Sequence, residues 1–143
     1  MTILVIDDDR LIYETIEAVL VEDGYDCLTA KDTHEADLVL ETVPVHGMTL
    51  EMNLPGCRPM EWMQQIAMLE PDLIRRTVVI TVNSIDETAR GRIREAGAGL
   101  LLKPFTVSEL REVIRAHVGV PTGGIKPVIP PAGSFRPIPD DSE

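Results

Sequence analysis

Acidic residues follow two short apolar runs of this sequence, and a hydroxyl and an amino group lie at the ends of two later runs. Asp7 and Asp8 follow the first apolar run of the chain, and Glu51 follows the third. Carboxylates packed together repel one another unless a cation lies among them, and oxygen ligands of this kind favour Mg²⁺. Thr81 and Lys103 could hold the oxygens of a phosphoryl group. The residue types therefore predict a small site for a divalent metal ion and a phosphoryl group.

Such a site needs elements that bring distant residues together, and the apolar pattern predicts them. Short apolar runs alternate with helical patterns five times, and no run pairs with its neighbour through a two-residue hairpin turn, which is typical of a parallel sheet. Ligands bind beyond the carboxyl ends of the strands in such a sheet, so the polar residues would converge on one edge. The predicted strands are Thr2 to Ile6, Tyr25 to Thr29, Gly47 to Leu50, Thr77 to Val82 and Gly99 to Leu102.

Capping residues mark the ends of five predicted helices. Asp9 can begin the first helix, and Gly24 stands where a left-handed residue would end it. Pro59 can open the third helix and Pro71 can close it. Capping boxes are predicted at three residue pairs, namely Asp32 with Glu35, Ser84 with Glu87, and Thr106 with Glu109.

The composition divides the chain near residue 118. Residues 119–143 hold more than half of the 11 prolines and few large aliphatic side chains, so they cannot build a core. We therefore expect one domain over residues 1–118, followed by a flexible tail rich in proline and glycine.

The charge and the apolar runs exclude several classes of function. With 24 Asp and Glu against 13 Lys and Arg, the net charge of -11 repels phosphate backbones and anionic lipids, so we predict neither a nucleic-acid nor a membrane partner. No apolar run approaches the roughly 18 residues that a membrane span requires. Cys27 and Cys57 form neither a metal-type cluster nor a disulfide framework, which suits a reducing compartment and predicts a cytoplasmic location.

The ordered set of motifs resembles the receiver domain of bacterial two-component response regulators over residues 1–118. The motifs are the Asp7-Asp8 pair, the segment from Glu51 to Gly56, Thr81, and the run Lys103-Pro104-Phe105. The resemblance implies an α/β domain with a flavodoxin-like, doubly wound parallel sheet of five strands in the order 2-1-3-4-5 and five helices.

The resemblance also implies roles for the polar residues. Thr81 and Lys103 would hold phosphoryl oxygens, and the peptide bond before Pro104 would be cis. The implied metal ligands for Mg²⁺ are Asp8, Glu51 and the backbone carbonyl of Asn53, with Asp7 holding metal waters.

Glu51 departs from the family pattern, because the residue that receives phosphate from a histidine kinase is an aspartate in the family. Glutamate keeps the charge and reaches one methylene further, so it either imitates the phosphorylated state or silences phosphorylation, and it would weaken Mg²⁺ binding. Further departures are Arg58-Pro59 in the following loop, Val82 after Thr81, and Leu100 where an aromatic residue is frequent.

The resemblance predicts a signalling module and not an enzyme. Its partner would be a sensor histidine kinase or a downstream signalling protein. Residues 86–118, which span helix four, strand five and helix five of the predicted fold, would form the docking surface or a homodimer interface.

Two alternatives remain open from the sequence. One is a Mg²⁺-dependent phosphatase of the haloacid dehalogenase type, whose Asp-x-Asp motif Asp7 and Asp9 could supply. Leu11 stands where that family has Thr or Val, and no acidic pair follows Lys103 at the end of a later predicted strand, which weighs against it. The other is an ordinary phospho-accepting receiver that carries an Asp-to-Glu substitution at position 51.

Overall fold

Five short apolar segments pair side by side in a parallel sheet in the computed structural model, which describes residues 1–121. The strand order is β2-β1-β3-β4-β5, as predicted. The central strands are apolar on both faces because helices cover the sheet on both sides. The strands are β1 (Thr2–Ile6), β2 (Asp26–Ala30), β3 (Gly47–Leu50), β4 (Thr77–Val82) and β5 (Gly99–Lys103).

Three strand boundaries differ from the prediction, namely both ends of β2, which ends at Ala30 and not at Thr29, and the end of β5. Strand β2 begins at Asp26 and not at Tyr25, because the Tyr25 amide donates to the Leu20 carbonyl and so completes the end of the first helix. Strand β5 continues to Lys103, which pairs with Val82 in the sheet. The extension carries Lys103 to the carboxyl edge of the sheet.

Within residues 1–121, six helices connect or follow the strands, one more than predicted. The additional helix is the single turn α4, which Pro71 begins at its first position, where a missing N–H costs nothing. The third helix ends at Leu69, just before Pro71, as expected. Pro71 also begins a new helix, which the sequence did not indicate. The helices are α1 (Arg10–Glu22), α2 (Thr33–Thr42), α3 (Pro59–Leu69), α4 (Pro71–Arg75), α5 (Glu87–Ala96) and α6 (Val107–His117).

The predicted caps are confirmed at most helix ends. The Asp9 side chain accepts from two amides of α1, Gly24 has a positive φ of 98°, and Thr106 and Glu109 form a capping box. The prediction for Ser84 is wrong. Asp86 caps α5 by accepting from the Ala89 amide at 2.8 Å, because Ser84 lies in the preceding turn, two residues too early.

The core has two layers, one on each face of the sheet. Alternate residues of β1 point into different layers, with Leu4 and Ile6 toward α2, α3 and α5, and Ile3 and Val5 toward α1 and α6. This alternation buries Ile3, Leu4, Val5 and Ile6 completely, so Asp7, which follows them, begins in the interior of the protein.

The end of the described chain lies against the domain. The Gly119 carbonyl accepts a hydrogen bond from the Tyr25 hydroxyl, and Pro121 lies beside Gly24. Contacts with the domain thus continue three residues past the predicted boundary at 118. The rest of the predicted tail, residues 122–143, lies outside the described residues. Within residues 1–121, no helix has the length and apolar character to cross a membrane.

A buried carboxylate joins α2 to α3. Asp37 is 5% exposed, and its Oδ1 accepts a hydrogen bond from the indole Nε1 of Trp62 at 2.7 Å. Burial raises the pKa of Asp37, and the hydrogen bond from Trp62 and the nearby His34 offset this only in part, while Glu41 adds to it. The ionised form is therefore less favourable in the folded state than in the unfolded chain.

We predict that Asp37→Asn makes stability less dependent on pH. Because the folded-state pKa is raised, the contribution of Asp37 is fully present below the unfolded value and is lost as pH rises through the folded value. Relative to the wild type, the variant should gain stability as the pH rises above about 4, the unfolded value, since asparagine keeps an acceptor for Trp62 without the charge. Urea unfolding followed by circular dichroism measures this.

The exposed Asp26 supplies a matched control. Asp26→Asn makes the same chemical change at an exposed position and so controls for the replacement of an aspartate by an asparagine. Parallel profiles for Asp37→Asn and the wild type would contradict the prediction.

Candidate functional site

Four segments deliver polar side chains to the carboxyl edge of the sheet. Asp7 directly follows β1 and Glu51 directly follows β3. Their backbone amides still donate to neighbouring strands, Asp7 to the Ala30 carbonyl and Glu51 to the Ile6 carbonyl, each at 3.0 Å. Thr81 lies within β4, and Lys103 ends β5. The sheet ladder thus fixes the backbone at both acidic positions.

Glu51 is the most highly connected of these side chains. Its carboxylate is buried, with the residue only 4% exposed. Oε1 lies 2.5 Å from the Lys103 Nζ. Oε2 accepts from the Thr81 hydroxyl at 2.5 Å and from the Asn53 backbone amide at 2.8 Å. Both oxygens of the Glu51 carboxylate therefore have hydrogen-bond donors.

Asp7 shares the Lys103 ammonium group with Glu51. Asp7 is 2% exposed, and its Oδ2 lies 3.0 Å from Lys103 Nζ. Its Oδ1 accepts from the backbone amide of Asp9 at 2.9 Å, while the Asp9 side chain caps α1. One ammonium group therefore bridges two buried carboxylates that come from β1 and β3.

The hydrogen bonds decide the charge state of Glu51. Burial acts to raise the pKa of Glu51, but hydrogen bonds from Lys103, Thr81 and the Asn53 amide together lower it below its usual value. Burial alone would lower the pKa of Lys103, and the two carboxylates more than offset this and raise it. Glu51 is therefore ionised and Lys103 is protonated near neutral pH.

Burial has the opposite outcome at Asp7. It raises the pKa of Asp7, and the hydrogen bonds from the Asp9 amide and from Lys103 compensate only in part. The Glu51 charge adds to the increase. Lys103 thus stabilises Glu51 more fully than it stabilises Asp7.

The structure brings together four of the predicted site residues, Asp7, Glu51, Thr81 and Lys103, and leaves two at the surface. Asp8 and Asn53 are exposed, and Asn53 contributes its backbone amide to Glu51. The Lys103–Pro104 peptide bond is cis, which agrees with the expectation. Two contacts were missed, the amides of Asp9 and Asn53, each two residues after the carboxylate that it contacts. Carboxylates are known to accept amides at that spacing, which was the available signal.

The predicted metal ligands do not fit a magnesium ion in this arrangement. In proteins Mg²⁺ usually takes one or two carboxylate oxygens as direct ligands and keeps several waters, in octahedral geometry at about 2.0–2.1 Å. Here the oxygens of Asp7 and Glu51 accept from Lys103, Thr81 and backbone amides instead. Among residues 1–121, no group of three acidic, histidine or cysteine side chains is placed to hold a metal ion.

Comparison with family models identifies the class of protein. Residues 3–115 match the response regulator receiver domain. The chain therefore belongs to the receiver domain family, in agreement with the fold and with the residues that converge at the sheet edge. Domains of this family are signalling modules of two-component systems, and they typically bind Mg²⁺ at their acidic site.

Individual proteins support the family assignment. The chain is 32% identical over 120 residues to response regulator RR06 of Streptococcus pneumoniae. The aligned region covers 82% of this chain and 53% of that protein. A CheY-like receiver domain protein of Methanospirillum hungatei has the same fold, with a TM-score of 0.74 at 22% identity, covering 82% of this chain and 92% of that one. The beryllofluoride-activated NtrC4 receiver domain dimer has a TM-score of 0.73 at 25% identity, covering 82% and 95%. The chain spans about half the length of RR06, or less for several other relatives.

We predict that Lys103→Met strongly destabilises the domain near neutral pH. The substitution leaves two buried carboxylates without their counter-charge, and removing one partner of a buried ion pair typically costs about 3–5 kcal/mol. Chemical unfolding of the wild type and the variant measures the loss.

Lys31→Met is the matched control. Lys31, which precedes α2, pairs with Glu35 of its first turn at 3.8 Å on the surface, where such pairs contribute only about 0.2–1 kcal/mol. An equal loss of stability in both variants would contradict the central role of Lys103.

Proposed function

We propose that this chain is an atypical receiver in two-component phosphorelay signalling, in which Glu51 stands at the phosphoacceptor position. It would act through protein contacts, without accepting phosphate, and not as an enzyme. The observation that carries the proposal is the contact of one carboxylate, that of Glu51, with both Thr81 and Lys103.

The geometry favours imitation of the phosphorylated state over simple loss of phosphorylation. Thr81 and Lys103 are the two side chains that the family resemblance assigns to phosphoryl oxygens. The two oxygens of the Glu51 carboxylate contact one each of these groups: Oε2 accepts from the Thr81 hydroxyl and Oε1 from the Lys103 Nζ, both at 2.5 Å. An aspartate would end about 1.5 Å earlier, one C–C bond, and could not make both contacts from the same backbone position. Glutamate thus occupies the place where a phosphoryl group would contact these residues.

The phosphatase alternative is not favoured. The family match is to the receiver domain, and the third aspartate of the predicted motif has a structural role. Asp9 caps α1 by accepting from the amides of Leu11 and Ile12, so it points at the helix and not toward Lys103. Asp9 is therefore not placed to act as the second carboxylate of an Asp-x-Asp motif.

The proposed output is a protein contact through α5, β5 and α6, with a sensor histidine kinase or a downstream signalling protein as the partner. The exposed arginines Arg92 and Arg94 lie on α5, in contrast to the acidic character of the whole chain. A homodimer is supported by the NtrC4 receiver, whose activated form is described as a dimer. Several relatives are transcriptional regulatory proteins, and a longer protein that contained this domain could therefore act on DNA.

We predict that the wild-type chain stays unlabelled when it is incubated with acetyl phosphate and Mg²⁺, and that Glu51→Asp gains one phosphoryl group. In the variant a carboxylate oxygen would attack phosphorus and acetate would leave. Displacing the attacking atom by about 1 Å can cost roughly a hundredfold in rate, so the longer side chain should not react. Intact-protein mass spectrometry detects the adduct.

Glu51→Asn controls for the site of labelling, because it has the size of aspartate but no nucleophilic oxygen of comparable reactivity. A labelled wild type would overturn the proposal that Glu51 blocks phosphorylation. Labelling of Glu51→Asn as strongly as Glu51→Asp would place the phosphate elsewhere and would also contradict it.

A further inference from the structure

Lys103 occupies a central position among the acidic groups of the site. Its Nζ lies 3.0 Å from Asp7 Oδ2 and 2.5 Å from Glu51 Oε1, and its side chain is only 15% exposed. The ammonium group therefore contacts two buried carboxylates, and the lysine side chain has little exposure to water. Between these two acids, a positive charge is already supplied by the protein.

The oxygens that a divalent ion would need are used by other donors. Asp7 Oδ1 accepts from the Asp9 amide, and Glu51 Oε2 accepts from Thr81 and from the Asn53 amide. The remaining oxygen of each acid faces Lys103. Each of these oxygens thus already accepts at least one hydrogen bond, and a metal ion that bound Asp7 and Glu51 directly would have to displace Lys103 or share the oxygens with these donors.

Electrostatic repulsion adds to this competition. A divalent cation that entered between Asp7 and Glu51 would lie within a few ångströms of the Lys103 ammonium group, in a site with little water to screen the two charges. Asp8, the remaining acid of the predicted metal set, is exposed and would have to compensate alone.

We propose that Lys103 serves as the resident counter-cation of this site and that the chain, unlike a typical receiver, does not bind Mg²⁺ there at millimolar concentrations. The interaction of Lys103 with Glu51 makes the arrangement independent of a metal. This inference rests on the placement of Glu51 in the proposed function, but it concerns metal binding and not phosphorylation.

Two substitutions should restore metal binding by different routes. Glu51→Asp withdraws the carboxylate from Thr81 and Lys103 and leaves its oxygens available. Lys103→Met removes the competing charge and leaves both acids unpaired. Changes in the groups around a metal ligand commonly alter metal affinity about 10- to 100-fold, and we expect gains of at least that size.

The test is isothermal titration calorimetry of the full chain with MgCl₂, at an ionic strength kept constant with KCl. The wild type should give no saturable heat through the millimolar range, whereas Glu51→Asp should. Lys103→Met is expected to be less stable, so its thermal unfolding is followed as well, and Mg²⁺ should raise its Tm without changing the Tm of the wild type. Asp8→Asn in the Glu51→Asp background should remove the restored binding.

Two results would overturn the inference. The first is Mg²⁺ binding by the wild type with an affinity within tenfold of that of Glu51→Asp. The proposed function would still hold in that case if the wild type did not accept a phosphoryl group. The second is the absence of Mg²⁺ binding in both Glu51→Asp and Lys103→Met, because the contacts of Lys103 would then not be what excludes the ion.

Discussion

The burial of two carboxylates beside a single ammonium group is the constraint on which the rest of the site depends. A buried charge costs several kcal/mol unless it is paired and hydrogen-bonded. Lys103 provides the pairing for Asp7 and Glu51, and Thr81 with two backbone amides provides the remaining hydrogen bonds. The lowered pKa of Glu51 follows from this set of donors, since burial alone would have raised it.

The sheet makes this arrangement possible because it brings together residues that are far apart in the chain. Asp7 and Glu51 continue the hydrogen-bonded ladder beyond β1 and β3, and Lys103 extends β5 by one residue to the same edge. The two-layer core buries β1 and β3 on both faces, so the acids that follow them are buried as well. Fold and charge pairing are therefore linked at Asp7 and Glu51, where the core ends and the site begins.

Most of the fold could be predicted from the sequence because its signals are local. Apolar runs and capping residues give the strands and helices, and the cap at Thr106 follows from four consecutive residues. The short helix α4 and the cap at Asp86 were missed, because each depends on how a turn is closed and not on a repeating pattern.

The site could be predicted only in part. The order of Asp7, Glu51, Thr81 and Lys103 indicated that they would meet, but it could not indicate which donor would serve which oxygen. Residue types alone allow either a metal ion or Lys103 as the counter-charge, and the choice depends on where the side chains lie in the folded protein. The Asp37–Trp62 bond likewise joins two helices whose contact no local pattern reveals.

The most direct test of the central claim is the methyl NMR signal of Thr81, compared between the wild type and Glu51→Asp with and without beryllofluoride. The claim is that the Glu51 carboxylate engages Thr81 and Lys103 as a phosphoryl group would. The account predicts that the Thr81 signal of the wild type coincides with that of Glu51→Asp bound to beryllofluoride. A wild-type signal that coincides instead with that of free Glu51→Asp would contradict the account.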